Sequence, residues 1–297
     1  MLNFRLLADY LTLCKPKVIM VMLVTTWVGM HLATQTFVPW RIFIFGTLGI
    51  ALAGSSAAVI NHLVDRHIDL KMIRTAQRPL ANKRISVYNA LLFAIILGIG
   101  GLLILTFLVN PLTAFLTFTT ILGYAVVYTL FLKRRTPQNI VIGGAAGAMP
   151  PLLGWTAVTG ELSAFAWLLV LIIFTWTPPH FWALAIYRKD DYQKANIPML
   201  PITHGIGFTK LYMVLYTILL FLSTLLPYAM NMSGPFYLVC AIILGSLFLI
   251  QTLVLYRVDS PALAGKTFGF SITYLLLLFS ALLIDHYIAI PSRRIFE

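Results

Sequence analysis

Acidic residues are scarce in this chain: nine Asp and Glu stand against 21 Lys and Arg among 297 residues. Charge of either sign makes up only 10% of the composition, 60% is hydrophobic, and the mean hydropathy is +0.91. Soluble domains are about 45–50% apolar, so that class is excluded. Cysteine is nearly absent too. Cys14 and Cys240 lie far apart in or beside apolar runs. Their spacing excludes a disulfide framework and a thiolate metal site, and leaves them as inert packing residues. No basic run sits on a polar module, so the formal charge of +12 does not indicate nucleic acid. Positive-inside loading of loops accounts for it, and it also suits an anionic substrate. Arg5, Asp9, Lys15 and Lys17 interrupt any early apolar region, so neither a cleavable signal nor a mitochondrial presequence is expected. The expected location is a bacterial plasma (inner) membrane.

Long apolar runs are what the chain does have. A hydrocarbon core of about 30 Å takes about 20 helical residues. Runs of that length lie near 18–38, 42–62, 88–108, 112–132, 139–159, 163–186, 211–230, 235–256 and 268–289. The expected fold is all-α: one polytopic membrane domain over residues 1–297, with about nine transmembrane helices. Basic residues set an N-in, C-out orientation. Lys15, Lys17, the cluster from Arg66 to Arg84, Lys133 to Arg135, Arg188, Lys210 and Lys266 fall inside, against Arg41, Arg293 and Arg294 outside.

Two inner loops, about 63–87 and 187–210, are longer than the rest. Each follows an even-numbered helix, opens with acidic residues and ends in a Pro-Leu-type turn: Arg78-Pro79-Leu80 in one, Pro198-Met199-Leu200-Pro201 in the other. Four helices separate them, which reads as two four-helix halves plus a ninth helix, bringing both charged loops to one place.

The first loop carries the densest chemistry. Asn61, Asp65 and Asp69 are spaced i, i+4, i+8, so a helix projects all three from one face. Three oxygen-bearing side chains are what a hard cation such as Mg²⁺ binds, together with substrate phosphates. The plainer alternative is a solvated helix end with Asp65 paired to Arg66 or His62. Arg74 and Arg78, again i, i+4, with Lys71 nearby, match phosphate oxygens as a diphosphate clamp or serve as topogenic charge beside anionic lipid. In the second loop Asp190 and Asp191 are adjacent, so a helix splays them by about 100° and at least one can face the first cluster. Lys189 and Lys194 close on phosphate or are topogenic.

His180 lies in Trp176-Thr177-Pro178-Pro179-His180-Phe181-Trp182. Paired prolines are expected to open or kink that helix, and a histidine there is a packing residue or a ligand and acid/base group. His62, His67 and His204, near the inner boundary, are weaker candidates. Gly143 to Ala148 reads as close helix packing, with Pro150-Pro151 breaking the helix after it.

The segment NHLVDRHIDLKMIRTAQRPL resembles the signature of the UbiA superfamily of intramembrane prenyltransferases, Asn-x-x-x-Asp-x-x-x-Asp. With KPKVIMVMLVTTWVGM, RTPQNIVIGGAAGAMPPLLGW and WTPPHFWALAIYRKDDYQKANIPMLP it resembles, more narrowly, the protohaem IX farnesyltransferase (haem O synthase) branch. The resemblance runs from about residue 15 to 210. It implies transfer of farnesyl from farnesyl diphosphate to a vinyl group of haem B, with water, giving haem O and diphosphate. It implies Mg²⁺ held by Asn61, Asp65 and Asp69 with Asp190 and Asp191 as a second acidic motif, and phosphates met by Arg74 and Arg78. Haem B, farnesyl diphosphate and membrane lipid are the implied partners, with haem A synthase or terminal oxidase assembly beyond them and no nucleic acid. His180 would position haem or handle the proton of the water. The superfamily often has a second Asp four residues on, where Ala195 follows Asp191.

Two other classes compete. A transporter uses helix repeats and broken helices, but it would place ionisable groups near the midplane rather than at the inner margin. Asp285 and His286, toward the outer end of the last helix, are expected to be interfacial. A haem-binding or assembly scaffold explains His180 and the aromatics but gives the Asn/Asp series no task.

Overall fold

A computed structural model describes residues 4–72, 75–133 and 135–293 of the chain, with side chains through Ile288. Every regular element among the described residues is helical. Helix α1 (Phe4–Leu13) bends by 51° into α2 (Pro16–Leu32). Next come α3 (Trp40–Asp69), α4 (Val87–Leu108) and α5 (Pro111–Leu122), which continues as a π-helical segment, Gly123–Leu132. A broken pair, α6 (Asn139–Ala148) and α7 (Pro150–Thr159), precedes α8 (Ala164–Tyr187). Two short helices, α9 (Lys189–Lys194) and α10 (Leu200–Thr203), lead to α11 (Ile206–Ala229), α12 (Pro235–Arg257) and α13 (Pro261–Arg293).

Among the described residues eight helices are long and apolar enough to cross a membrane, or nine if the bent α1–α2 pair is one span. The helices begin where local chemistry starts them. Ser86, Asn110 and Ser163 accept from Asn89 N, Thr113 N and Phe165 N at 3.1, 2.9 and 3.2 Å, each satisfying a donor that the helix itself leaves open. Gly160, at φ 70°, ends α7 in a conformation glycine takes without a Cβ penalty.

Contacts repeat in the two halves. Helix α3 packs on α2 and α4, and α4 on α5; α8 packs on α6–α7 and α11, and α11 on α12. The halves meet where α2 crosses α7, and α13 seals the second half against α2, α8 and α12. The α2–α7 crossing is backbone-close. A Cβ on Gly154 would lie 2.0 Å from the Thr26 carbonyl oxygen, and one on Gly29 2.1 Å from that of Pro151, the close approach small residues permit between membrane helices. Gly143 and Gly144 serve the expected packing role against Tyr128 and Thr177, while Gly147 meets nothing within 4 Å.

Three expectations change. The second span runs on to Asp69 rather than ending near 62, because its last turns are polar yet helical and buried. The pair Pro178-Pro179 does not open its helix: α8 is continuous from Ala164 to Tyr187, held by neighbours on both sides, whereas Pro150 does separate α6 from α7. Asp285 is not interfacial. It is buried and accepts from the backbone N–H groups of Gly234 and Tyr237 at 2.5 and 3.0 Å, capping the start of α12 from another helix.

Candidate active site

Asn61, Asp65 and Asp69 share one face at the end of α3, and all are buried, at 4, 2 and 4% exposure. Three cations from three parts of the chain meet them. Lys15 Nζ donates to Asn61 Oδ1 at 2.5 Å, Lys133 Nζ pairs with Asp65 Oδ2, and Arg78 Nη1 reaches both Asp69 oxygens at 2.9 and 3.0 Å. Asn61 Nδ2 also donates to Asp65 Oδ2 at 3.0 Å. Buried charges must be paired and hydrogen-bonded to be tolerated: Asp65 and Asp69 each hold a counter-charge, and Lys15 is hydrogen-bonded to the neutral Asn61 amide. Two groups stay outside this ladder. Asp65 Oδ1 and both ring nitrogens of His62 are buried with no hydrogen-bond partner, and such groups call for an explanation.

Local structure aims each cation. Lys15 sits at the α1–α2 bend with φ 52°, a left-handed conformation that costs a non-glycine residue about 1–2 kcal/mol. Lys133 follows the π-helical segment. Its N–H bonds the Tyr128 carbonyl five residues back, and Thr129 Oγ1 likewise reaches the Tyr124 carbonyl at 2.8 Å. One residue more per turn rotates Lys133 onto Asp65, and π-type turns of this kind recur at functional sites. Arg78 is fixed by its loop, in which Thr75 Oγ1 donates to the Asp69 carbonyl at 3.0 Å and Arg84 Nη2 to that of Gln77 at 3.1 Å. Arg84 also pairs with Asp9 of α1 at 3.0 Å, tying α1 to the same loop.

The remaining residues singled out in the sequence are placed as follows. Arg74 lies outside the described residues. Lys71, Asp190 and Lys194 are exposed, Lys189 is half-buried and within electrostatic reach of Asp259, and Asp191 is buried on α9. Among the described residues no three His, Cys, Asp or Glu side chains gather closely enough to hold a metal ion by themselves. Among the described residues the two acidic loops are thus not joined through protein carboxylates alone. The physical reason is that Asp190 and Asp191 diverge on a helix of their own, and the first-motif carboxylates already hold cations. The second loop approaches through Tyr192 instead: the Tyr128 phenol lies within electrostatic reach of Tyr192, Tyr124 and Asp65. On the same side, Lys210 bonds Asp259 Oδ1 at 2.8 Å and the Val258 carbonyl at 2.9 Å. Its hydrogen bond and charge hold the Asp259 carboxyl below the usual range.

His180 is buried between two rings, stacked on Trp176 at 4.1 Å and on Phe268 at 4.6 Å between centroids. Ser271 Oγ donates to the Phe268 carbonyl at 2.6 Å, and His180 Nδ1 is 2.6 Å from the same oxygen. A Ser271 hydroxyl proton on that carbonyl would make Nδ1 the donor to Ser271 Oγ. The Nε2 lone pair would then be the available one.

Beside the ladder opens a cavity of about 180 Å³ between α2, α3, α5 and α6–α7. Lys15, Ala58 and Tyr124 line the end next to Asn61; Met22, Ile50, Thr117 and Leu153 line the far end. A cationic, hydrogen-bonding head and an apolar body are thus continuous.

A profile of the UbiA prenyltransferase family matches residues 22–282. The chain belongs to this family. As a UbiA prenyltransferase it is 59% identical over 280 residues to the protohaem IX farnesyltransferase of Stutzerimonas stutzeri, with 94% of each chain covered. It is 61% identical over 279 residues to that of Legionella pneumophila, covering 94% of this chain and 95% of the other. Among solved structures, one described as digeranylgeranylglyceryl phosphate synthase superposes with a TM-score of 0.80 at 21% identity, covering 94% and 98% of the two chains. A UbiA homologue from Archaeoglobus fulgidus, bound to GPP and Mg²⁺, superposes at 0.64 with 16% identity, covering 92% and 99%. These two establish the fold. For the UbiA prenyltransferase reading, sequence reasoning had found the Asn/Asp series and Arg78. It missed Lys15 and Lys133, read only as topogenic charge, and Ser271. Their partners lie 46, 68 and 91 residues away, beyond any local pattern.

Proposed function

We propose that this prenyltransferase transfers the farnesyl group of farnesyl diphosphate to a vinyl group of haem B, with addition of water, releasing haem O and inorganic diphosphate. The observation that carries the reading is the buried ladder of Asn61, Asp65 and Asp69 with Lys15, Lys133 and Arg78 at the head of an apolar cavity. The names of relatives about 60% identical supply the acceptor.

The donor set fits Mg²⁺. One amide and two carboxylates are hard oxygen ligands, and the unpartnered Asp65 Oδ1 is an acceptor held ready for a cation. With so few protein ligands, coordination would be shared with the phosphates of the substrate, the arrangement Mg²⁺ favours. Bound there by Asn61, Asp65 and Asp69, Mg²⁺ would neutralise charge on the diphosphate. Lys15, Lys133 and Arg78 then exchange their carboxylate and amide partners for diphosphate oxygens. They stabilise the charge that builds as the allylic C–O bond breaks.

The prenyl cation so formed lies beside Tyr124 and Tyr128, stacked at 5.5 Å, whose π faces favour a passing positive charge. The vinyl π electrons form the new C–C bond, water adds to the remaining cationic carbon, and its proton is lost. The apolar walls exclude bulk water from the first cation. His180, with Nε2 unprotonated, is the residue we assign to the haem iron, and Asp191 is the second-loop carboxylate facing inward. The site opens to the cytoplasm, the side on which the long basic loops belong.

The test is diphosphate release in detergent, with farnesyl diphosphate, haem B and Mg²⁺. Release should require all three, and Asp65→Ala should reduce it at least about a hundredfold while haem binding persists. Release by Asp65→Ala at the wild-type rate would refute the assignment.

A further inference from the structure

His62 has no task in the reaction above, yet it sits among the groups assigned to the diphosphate. It lies three residues before Asp65 and seven before Asp69, so on α3 it shares their face. Its ring is within electrostatic reach of Lys15, Arg78 and Lys133, the three cations of the ladder. It is 2% exposed, and both ring nitrogens are buried without a hydrogen-bond partner. Each cation is turned to a neighbour instead: Lys15 to Asn61, Lys133 to Asp65 and Arg78 to Asp69. A polar ring dried in this way lowers the stability of the ligand-free protein, because it has given up water and gained no bond.

We propose that His62 is a substrate-binding residue whose ring N–H donates to an oxygen of the bound diphosphate. The proposal rests on the reading above, in which the diphosphate sits at the ladder. A diphosphate presents many acceptor oxygens, and an imidazole carries at least one N–H donor in either protonation state. The contact therefore needs no proton transfer. An aliphatic side chain of similar volume would suit the ligand-free fold better, so the imidazole is kept at the expense of stability. The partner it lacks arrives with the substrate. One substitution thus has two effects of opposite sign, relieving the ligand-free protein and weakening the complex.

The experiment measures the affinity for inorganic diphosphate with Mg²⁺ by calorimetry in detergent, and the unfolding midpoint of each ligand-free protein. The proteins are wild type, His62→Leu, His62→Asn, His62→Gln and Arg78→Gln. His62→Leu should weaken binding about tenfold, the scale of one hydrogen bond to a charged group, and should raise the midpoint. Asn offers an N–H near the place of Nδ1, and Gln near that of Nε2. One of these two should therefore bind nearly as well as wild type. Wild-type affinity in His62→Leu, with Arg78→Gln weakened, would overturn the assignment of His62 and leave the diphosphate at the ladder. Wild-type affinity in both would remove the diphosphate from the ladder, and this proposal with it. Equal loss in all three His62 variants, with every midpoint lowered, would make His62 a packing residue and overturn the proposal as well.

Discussion

At the residue scale, the site is a set of paired charges kept dry. Lys133 and Asp65 are 18 and 2% exposed at the side chain, so removing one partner strands the other in low dielectric. Lys133→Ala should destabilise the protein by about 3 kcal/mol, read as a lowered midpoint in thermal unfolding. Adding Asp65→Asn should recover part of that loss, because the stranded charge is gone, while activity stays abolished. A double variant no more stable than Lys133→Ala would mean that the pair contributes nothing to folding. The Asn/Asp series was legible because three oxygen-bearing residues recurred at helical spacing. Lys15 and Lys133 were not, since a lysine at a membrane margin carries the same local signature whether it faces lipid headgroups or a carboxylate.

At the element scale, irregularities place the chemistry. The bend at Lys15, the π-helical segment before Lys133 and the break at Pro150 each turn a wall of the site. Only Pro150 announced itself in the sequence. The extra residue per turn in Gly123–Leu132 has no proline or glycine run to mark it, and Pro178-Pro179, which looked like a break, lies within a continuous helix. The crossing of α2 and α7 joins the two halves through Gly29 and Gly154. A methyl on Gly154 would meet the rigid Thr26 backbone at 2.0 Å, with no flexible side chain to yield. Gly154→Ala should therefore cost about 1–3 kcal/mol, seen as a lower unfolding midpoint in detergent. Gly207→Ala, whose Cβ meets nothing within 4 Å, should leave the midpoint near wild type. Equal midpoints for the two would contradict the account of the crossing.

At the scale of the whole molecule, the hydropathy of the runs made the helices legible, and repeated loops made the two halves legible. Span ends were less so, because α3 continues through polar residues that hydropathy assigns to a loop. The charge asymmetry predicts that the ladder end faces the cytoplasm. Single cysteines introduced at Lys194 and Ser233, in a background with Cys14 and Cys240 replaced by Ser or Ala, should respond oppositely to a membrane-impermeant thiol reagent in intact cells. The Ser233 site should label and the Lys194 site should not; the reverse pattern would invert the topology.

The most direct measurement of the central claim is the mass of the haem recovered after incubating purified protein with haem B, farnesyl diphosphate and Mg²⁺ in heavy-oxygen water. The account predicts a haem heavier by one farnesyl group and one hydroxyl, with the hydroxyl oxygen drawn from the solvent and the product absent when Mg²⁺ is chelated. Haem recovered at its original mass, with diphosphate released all the same, would contradict it and assign the prenyl group to another acceptor.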